Sequence, residues 1–328
     1  MLKKIFAFIF LIILLIILLF VAIRSGSINL TYTQIFNGLF IKYDEEFATI
    51  YDLRFPRILV AILAGAGLSV SGVMFQAVMK NPLADPGTIG ISSGASFISM
   101  IVTFMFPKLY FLSPLFAFIG GVLACILVYT LSWKDGLKPL RVILVGVAVN
   151  AVFVGLLNAI NAMSGGSQNS VTAIVNANIA QKTWKDVSLL STYISIGMLL
   201  ALIFSGRCNL LALEDKTIKS LGINVNRLRV YISAISLLLI GISTAVVGVI
   251  GFIGLIVPHM SRMLVGNDNR VLIPYSMILG AFVMLLADTV GRIIIMPFEI
   301  PIGVFMSVFG GPFFIILLRK SEGTYESQ

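Results

Sequence analysis

Of the 328 residues, 11% are charged and 59% are hydrophobic, with a formal net charge of +9. A soluble domain carries about 25% charged residues, so this chain cannot cover a water-facing surface, and its mean hydropathy of +1.05 points to lipid as its solvent. A soluble enzyme is thereby excluded, and long apolar runs without period-two alternation exclude a β-barrel and leave α-helices.

The first apolar run, Ile5 to Ile23, follows Lys3 and Lys4. It is long enough to cross about 30 Å of hydrocarbon. No small-residue cleavage pattern follows, so a retained helix is expected rather than a signal peptide. A polar outer segment, 24–56, comes next, carrying Asp44, Glu45, Glu46 and Asp52. A second span, 58–79, stops at Lys80 and a proline-bearing turn, Asn81 to Pro86. Further spans are expected near 90–106, 110–132 and 142–163, then a polar stretch, 164–187. Spans near 188–205, 230–250, 252–265, 272–290 and 302–318 complete about ten.

With both termini cytoplasmic and ten alternating spans, 15 of the 23 lysines and arginines fall on the inner side. That asymmetry is the positive-inside bias of membrane proteins, and it accounts for the net charge without nucleic acid. Gly65, Gly67 and Gly72 crowd the second span, and Gly248, Gly251 and Gly254 recur at three-residue spacing. Small residues let membrane helices approach closely. The alternative reading is that backbone near these glycines lines a path.

The longest inner loop joins Arg207 to Arg229. Within it, Leu213, Lys216, Thr217 and Ser220 recur at helical spacing, and Ile218 and Leu221 form an apolar edge. Glu214 and Asp215 suit a helix start, Lys219 its last turn, and Gly222 the stop. A short amphipathic helix over 213–222 is expected, either a solvated connector or a docking element. On the outer side, Arg54 and Arg57 sit at the mouth of the second span and Arg292 at the end of the ninth. They suit either lipid phosphates or the acidic groups of a partner. Asp288, one turn before Arg292, reads as a structural i, i+4 pair. His259, the sole histidine, reads as a satisfied packing residue. Cys125 and Cys208 have no ligand spacing between them, and no metal site or cofactor is expected. No phosphate-binding loop and none of the common hydrolase motifs occurs, and the span interiors are almost free of charge. Energy for transport is therefore expected from another subunit.

Several stretches together resemble the FecCD-type permeases of ABC importers for iron chelates and cobalamin. The first runs from Leu53-Arg54-Phe55-Pro56-Arg57 through Asn81-Pro82-Leu83-Ala84-Asp85-Pro86 to Gly90-Ile91-Ser92-Ser93-Gly94-Ala95. The others are Lys219-Ser220-Leu221-Gly222, Gly251-Phe252-Ile253-Gly254 to Pro258-His259, and Glu299-Ile300-Pro301-Ile302-Gly303 with Gly311-Pro312. The resemblance implies an all-α polytopic integral membrane protein of about ten helices, the type II ABC importer permease fold, as one transmembrane permease domain over 1–328. It implies a plasma-membrane location and no catalytic residues. It also implies four kinds of partner: a second copy of the same or a related chain, two cytosolic ATPase subunits, an extracytoplasmic substrate-binding protein and the bilayer.

Carried over by position, Arg54, Arg57 and Arg292 resemble the arginines that meet glutamates of the binding protein. Leu213, Glu214, Asp215, Lys216, Thr217, Ile218, Lys219, Ser220, Leu221 and Gly222 resemble the coupling helix seated in the ATPase. Asn81 and Leu83 correspond to the inner gate. A second gate element falls at Pro139 and Leu140, where the sequence departs from the small hydroxyl residues of the cobalamin member. A ferric siderophore is the expected cargo, with haem or cobalamin as alternatives. Rival readings are a stand-alone secondary transporter, a membrane-embedded enzyme or a structural scaffold.

Overall fold

The computed structural model describes residues 2–25, 45–87, 89–134, 136–163, 179–295 and 298–325. The stretches 26–44 of the outer segment and 164–178 of the polar stretch lie outside the described residues. The described elements are helical. They are α1 (Leu2–Arg24), α2 (Glu45–Met79), α3 (Ile91–Met105), a 3-10 turn (Pro107–Leu112), α4 (Ser113–Ser132) and α5 (Pro139–Met163). After them come α6 (Trp184–Leu210), α7 (Asp215–Ser220), α8 (Val225–Val247), α9 (Ile253–Val265), α10 (Asn269–Ile293) and α11 (Ile302–Tyr325). Among the described residues seven helices are long and apolar enough to span a membrane, and three shorter apolar helices, within α3, α9 and α11, lie where the remaining expected spans fall.

Helix α2 is the hub, packed by α10, α8, α6 and α9. Lipid offers no hydrophobic drive for these contacts, so close backbone approach must supply dispersion. A Cβ on Gly65 would lie 2.3 Å from the carbonyl oxygen of Gly280, and one on Gly280 would lie 2.3 Å from that of Gly65. On Gly72 it would meet the Gly254 carbonyl oxygen at 2.0 Å. Glycine is therefore required where α2 crosses α10 and α9. Hydroxyls add interhelical bonds: Ser69 Oγ donates to the Ser276 carbonyl at 2.7 Å, and Ser236 Oγ donates to that of Ser71 at 2.9 Å.

Several helices start earlier than their apolar runs, α8 at Val225 rather than 230 among them, and two of these starts bear on the site. Helix α2 begins at Glu45 rather than near residue 58 and passes through Pro56. At about 1.5 Å per residue its 35 residues greatly exceed a ~30 Å core, so its first turns project outside the bilayer. Arg54 and Arg57 thus ride one helical face and not a loop. Helix α6 begins at Trp184, where the Thr183 N–H donates to the Asp186 carboxylate at 2.9 Å. The Trp184 indole N–H donates to Asp52 at 3.2 Å, tying this start to the projecting part of α2.

Gly248, Gly251 and Gly254 do not share a helix. Gly248 ends α8 at φ 80°, Gly251 lies in the break, and Gly254 opens α9. Their three-residue spacing marks an interruption in which Phe252 also takes a left-handed φ of 69°. Such backbone at membrane depth is tolerated only against protein or water.

Candidate docking faces and translocation path

Positions that alternation assigns to one side of the membrane meet in space, at two ends of the bundle. At one end lie the three arginines. Helix α1 finishes at Arg24, and its last carbonyls lack intrahelical partners. Arg54 donates to the carbonyl of Ile23 at 3.1 Å, and Arg292 donates to that of Ser25 at 3.1 Å. Cations also favour the negative end of a helix dipole. Arg57 donates through Nε to Asp288 Oδ1 at 2.9 Å and through Nη1 to Glu299 at 2.8 Å. Arg292 Nε reaches Asp288 Oδ2 at 3.2 Å, one turn along α10, as a charge contact without hydrogen-bond alignment. The pair expected from the i, i+4 spacing is present. Arg54, Arg57 and Arg292 are only 8%, 9% and 5% exposed, so each is engaged inside this chain. Glu299 is the open member of the cluster, its side chain 45% exposed.

At the other end, α7 occupies the expected amphipathic stretch. Glu214 precedes it, and its carbonyl accepts from the Ile218 N–H at 3.1 Å. Gly222 ends the turn at φ 77°, with the Ile223 N–H donating to the Ile218 carbonyl at 3.3 Å. The apolar edge divides: Ile218 is fully buried, whereas Leu213 and Leu221 stay exposed beside Lys216 and Lys219. Thr217 and Ser220 are exposed as well, and the Ser220 hydroxyl donates to the Thr217 carbonyl.

Asp215 ties this helix to the bundle. One carboxylate oxygen accepts from Lys80 Nζ at 3.0 Å and from Arg229 Nη2 at 2.9 Å. Arg229 donates in turn to the Leu137 carbonyl at 2.8 Å, and the Lys80 ammonium also donates to the Leu213 carbonyl. Partial burial pushes the Asp215 carboxyl upward, but the two cations outweigh it and hold it below the ordinary carboxylate range. Sequence reasoning missed this triad because its members lie far apart in the chain.

The expected gate residues border the same end. The Asn81 side chain accepts from the Leu83 N–H at 2.9 Å, which fixes the turn, and Leu83 is exposed. Pro139 opens α5, followed by the highly exposed Leu140. Between the ends, a half-open cavity of about 650 Å³ is bordered by the α8–α9 break, α3, α5 and α11. Ser92, Ser93, Ser96, Asn150, Asn158 and Ser307 give it hydroxyls and carboxamides among apolar neighbours. Ser92 and Ser93 entered the sequence reading only as part of a family motif, and the other four not at all. Among the described residues no three His, Cys, Asp or Glu side chains gather as metal ligands would. His259 Nε2 is enclosed without a partner among the described residues, which corrects the expectation of a satisfied histidine.

Among the described residues, seven helices of spanning length, three shorter apolar helices, a broken helix beside a cavity and charged clusters at the two ends point to a membrane permease. Residues 14–320 match the FecCD transport family, and the chain belongs to it. It is 37% identical over 320 residues to "Probable heme-iron transport system permease protein IsdF" of Staphylococcus aureus strain Newman, covering 98% of this chain and 97% of that protein. Among solved structures it is similar to a chain assigned to a metal-chelate type ABC transporter in an inward-facing conformation. That likeness has a TM-score of 0.84 and 31% identity over 94% of this chain and 97% of the other. A chain of PsaBC from Streptococcus pneumoniae in complex with Fab shares the fold, with a TM-score of 0.56 and 18% identity over 88% of this chain and 95% of the other. The chain is thus an ABC-importer permease subunit, a transport component and not itself an enzyme.

Proposed function

We propose that this chain, as a single permease domain, carries an iron chelate across the plasma membrane. Two copies, or this chain and a paralogue, flank a central path, and ATP is hydrolysed by two cytosolic partner subunits. The observation that carries this reading is the half-open cavity of about 650 Å³ beside the α8–α9 break, a concave face suited to one side of a path. With both termini cytoplasmic, α7 faces the ATPases, and the segment Leu213 to Gly222 is the coupling element. The gates are Asn81 and Leu83 with Pro139 and Leu140. The arginine cluster receives an extracytoplasmic binding protein. Because Arg54, Arg57 and Arg292 are engaged internally, an incoming carboxylate has to exchange with an existing partner, and exposed Glu299 is the one most readily displaced.

Within iron chelates, likeness to a relative named for haem-iron transport favours haem over the ferric siderophore expected from sequence. The siderophore remains the second reading, because the hydroxyls and carboxamides of the cavity suit a hydrogen-bonding cargo. The test is uptake into proteoliposomes holding this chain, its ATPase and its binding protein, with radioactive iron supplied as haem or as a ferric hydroxamate. ATP-dependent uptake of one of them is expected. Equal uptake without the ATPase would replace this reading with a stand-alone transporter.

A further inference from the structure

We propose that Asp215 is the joint through which the short inner helix moves both gate segments at once, an inference that rests on the coupling and gate roles proposed above. Its carboxylate is the shared acceptor of two cations from two different helix ends. Lys80, at 3.0 Å, lies immediately before Asn81 and the turn that carries Leu83. Arg229, at 2.9 Å, passes the link onward through the Leu137 carbonyl at 2.8 Å, two residues before Pro139. The Leu137 N–H is also turned toward Asn226 at the start of α8, so this short segment is held on both sides of its peptide. A displacement of α7 is therefore transmitted to 81–83 through one arm and to 139–140 through the other.

Two further observations support a role beyond packing. Lys80 holds a φ of 49°, at the position after α2 where the Asn81 N–H reaches back to the Gln76 carbonyl at 3.2 Å. That is the left-handed site that ends many helices and that glycine fills without strain. A lysine kept there sacrifices backbone comfort for its side chain, and backbone strain retained in this way points to function. Beside it lies a cavity of about 330 Å³ lined by Lys80, Asn81, Pro82, Arg262 and Asn269 among others, which leaves the turn room to move.

The experiment uses the complete transporter in proteoliposomes, with whichever of haem or ferric hydroxamate the wild type accumulates. It reads iron taken up per ATP hydrolysed. Asp215→Asn and Lys80→Gly are each expected to lower this ratio about tenfold, an ordinary coupling magnitude, and Lys80→Gly, which lies outside the coupling segment, to do so with ATPase assembly and basal hydrolysis retained. Asp215→Glu is expected to keep most of it. Lys80→Gly relieves the left-handed strain, so its melting temperature should not fall, and lost coupling there cannot be assigned to misfolding. A wild-type ratio in both variants would overturn the proposal. Loss of ATPase binding in step with uptake would also overturn it, reducing Asp215 to a surface contact. Failure of the broader reading looks different: the wild type itself would show no ATP-driven uptake.

Discussion

Each end of the bundle has one carboxylate shared by two cations, and the two carboxylates differ in burial. Asp288 lies between Arg57 and Arg292 with its side chain 0% exposed, whereas Asp215 lies between Lys80 and Arg229 with its side chain 43% exposed. A buried carboxylate that neutralises two buried guanidinium groups cannot let go, because it would leave uncompensated charge in a low-dielectric site. A carboxylate with water beside it can exchange partners at little expense, since surface pairs contribute only about 0–1 kcal/mol. The Asp288 cluster therefore suits an anchor for α1, α2 and α10, and the Asp215 cluster suits the proposed joint.

The largest expected effect breaks the anchor. Asp288→Asn removes the buried carboxylate shared by Arg57 and Arg292, leaving Arg57 only the exposed Glu299, and should destabilise the protein by about 3–5 kcal/mol, as for other broken buried pairs. Thermal unfolding in detergent would show it, and a near-wild-type transition would erase the distinction between the two ends. Next comes Arg54→Ala, which strips a donor from the buried Ile23 carbonyl at the end of α1. A loss of about 1–3 kcal/mol is expected for the orphaned acceptor, read as faster proteolysis near residue 25.

Asp215→Asn should cost less stability than Asp288→Asn, because its carboxylate is solvent-screened, although it leaves the buried Arg229 guanidinium without its charge partner. A melting temperature lowered as far as in Asp288→Asn would make the inner end a second anchor. Glu299→Gln should be smaller still in stability, within about 0.5 kcal/mol, the usual range for exposed sites. Under the docking proposal it frees Arg57 for an incoming carboxylate, so affinity for the binding protein should rise in a pull-down titration.

The smallest effect is that of pH between 5 and 8. The folded carboxyl of Asp215 lies below its ordinary value of 3.8, so its contribution is fully present above that value. It is lost only as pH falls through the lowered folded value. The transport ratio should show no step from this group across the neutral range, and a step near pH 6 would assign control to a different residue.

Much of the fold was legible because hydrocarbon imposes a length and an apolar composition on every span. All ten expected spans correspond to helices, and the turn at Asn81-Pro82 and the stop at Gly222 fall where their residue types require. The expected starts of α2, α6 and α8 were too late, because their polar first turns carry no hydropathy signal yet continue the helix. Gly248, Gly251 and Gly254 looked like a packing stripe, since spacing alone does not distinguish one helix face from a break. The arginines were visible as charges at span ends and the Asp288–Arg292 pair followed from its i, i+4 spacing, but nothing in the sequence revealed that α1 engages Arg54 and Arg292 or that Asp288 also engages Arg57.

The sequence by itself determined the solvent, the helical class, the number of spans and the family, because those follow from local composition and from motifs. Apart from the i, i+4 pair of Asp288 with Arg292, only the tertiary structure decided which carboxylate each cation reaches. Arg57 and Asp288 lie 231 positions apart, and Lys80 and Asp215 lie 135 apart. Their pairing depends on how α2 packs against its neighbours, and so on glycines that permit backbone contact. Burial then sets the strength of each pair, since the same charges bind weakly in water and strongly away from it.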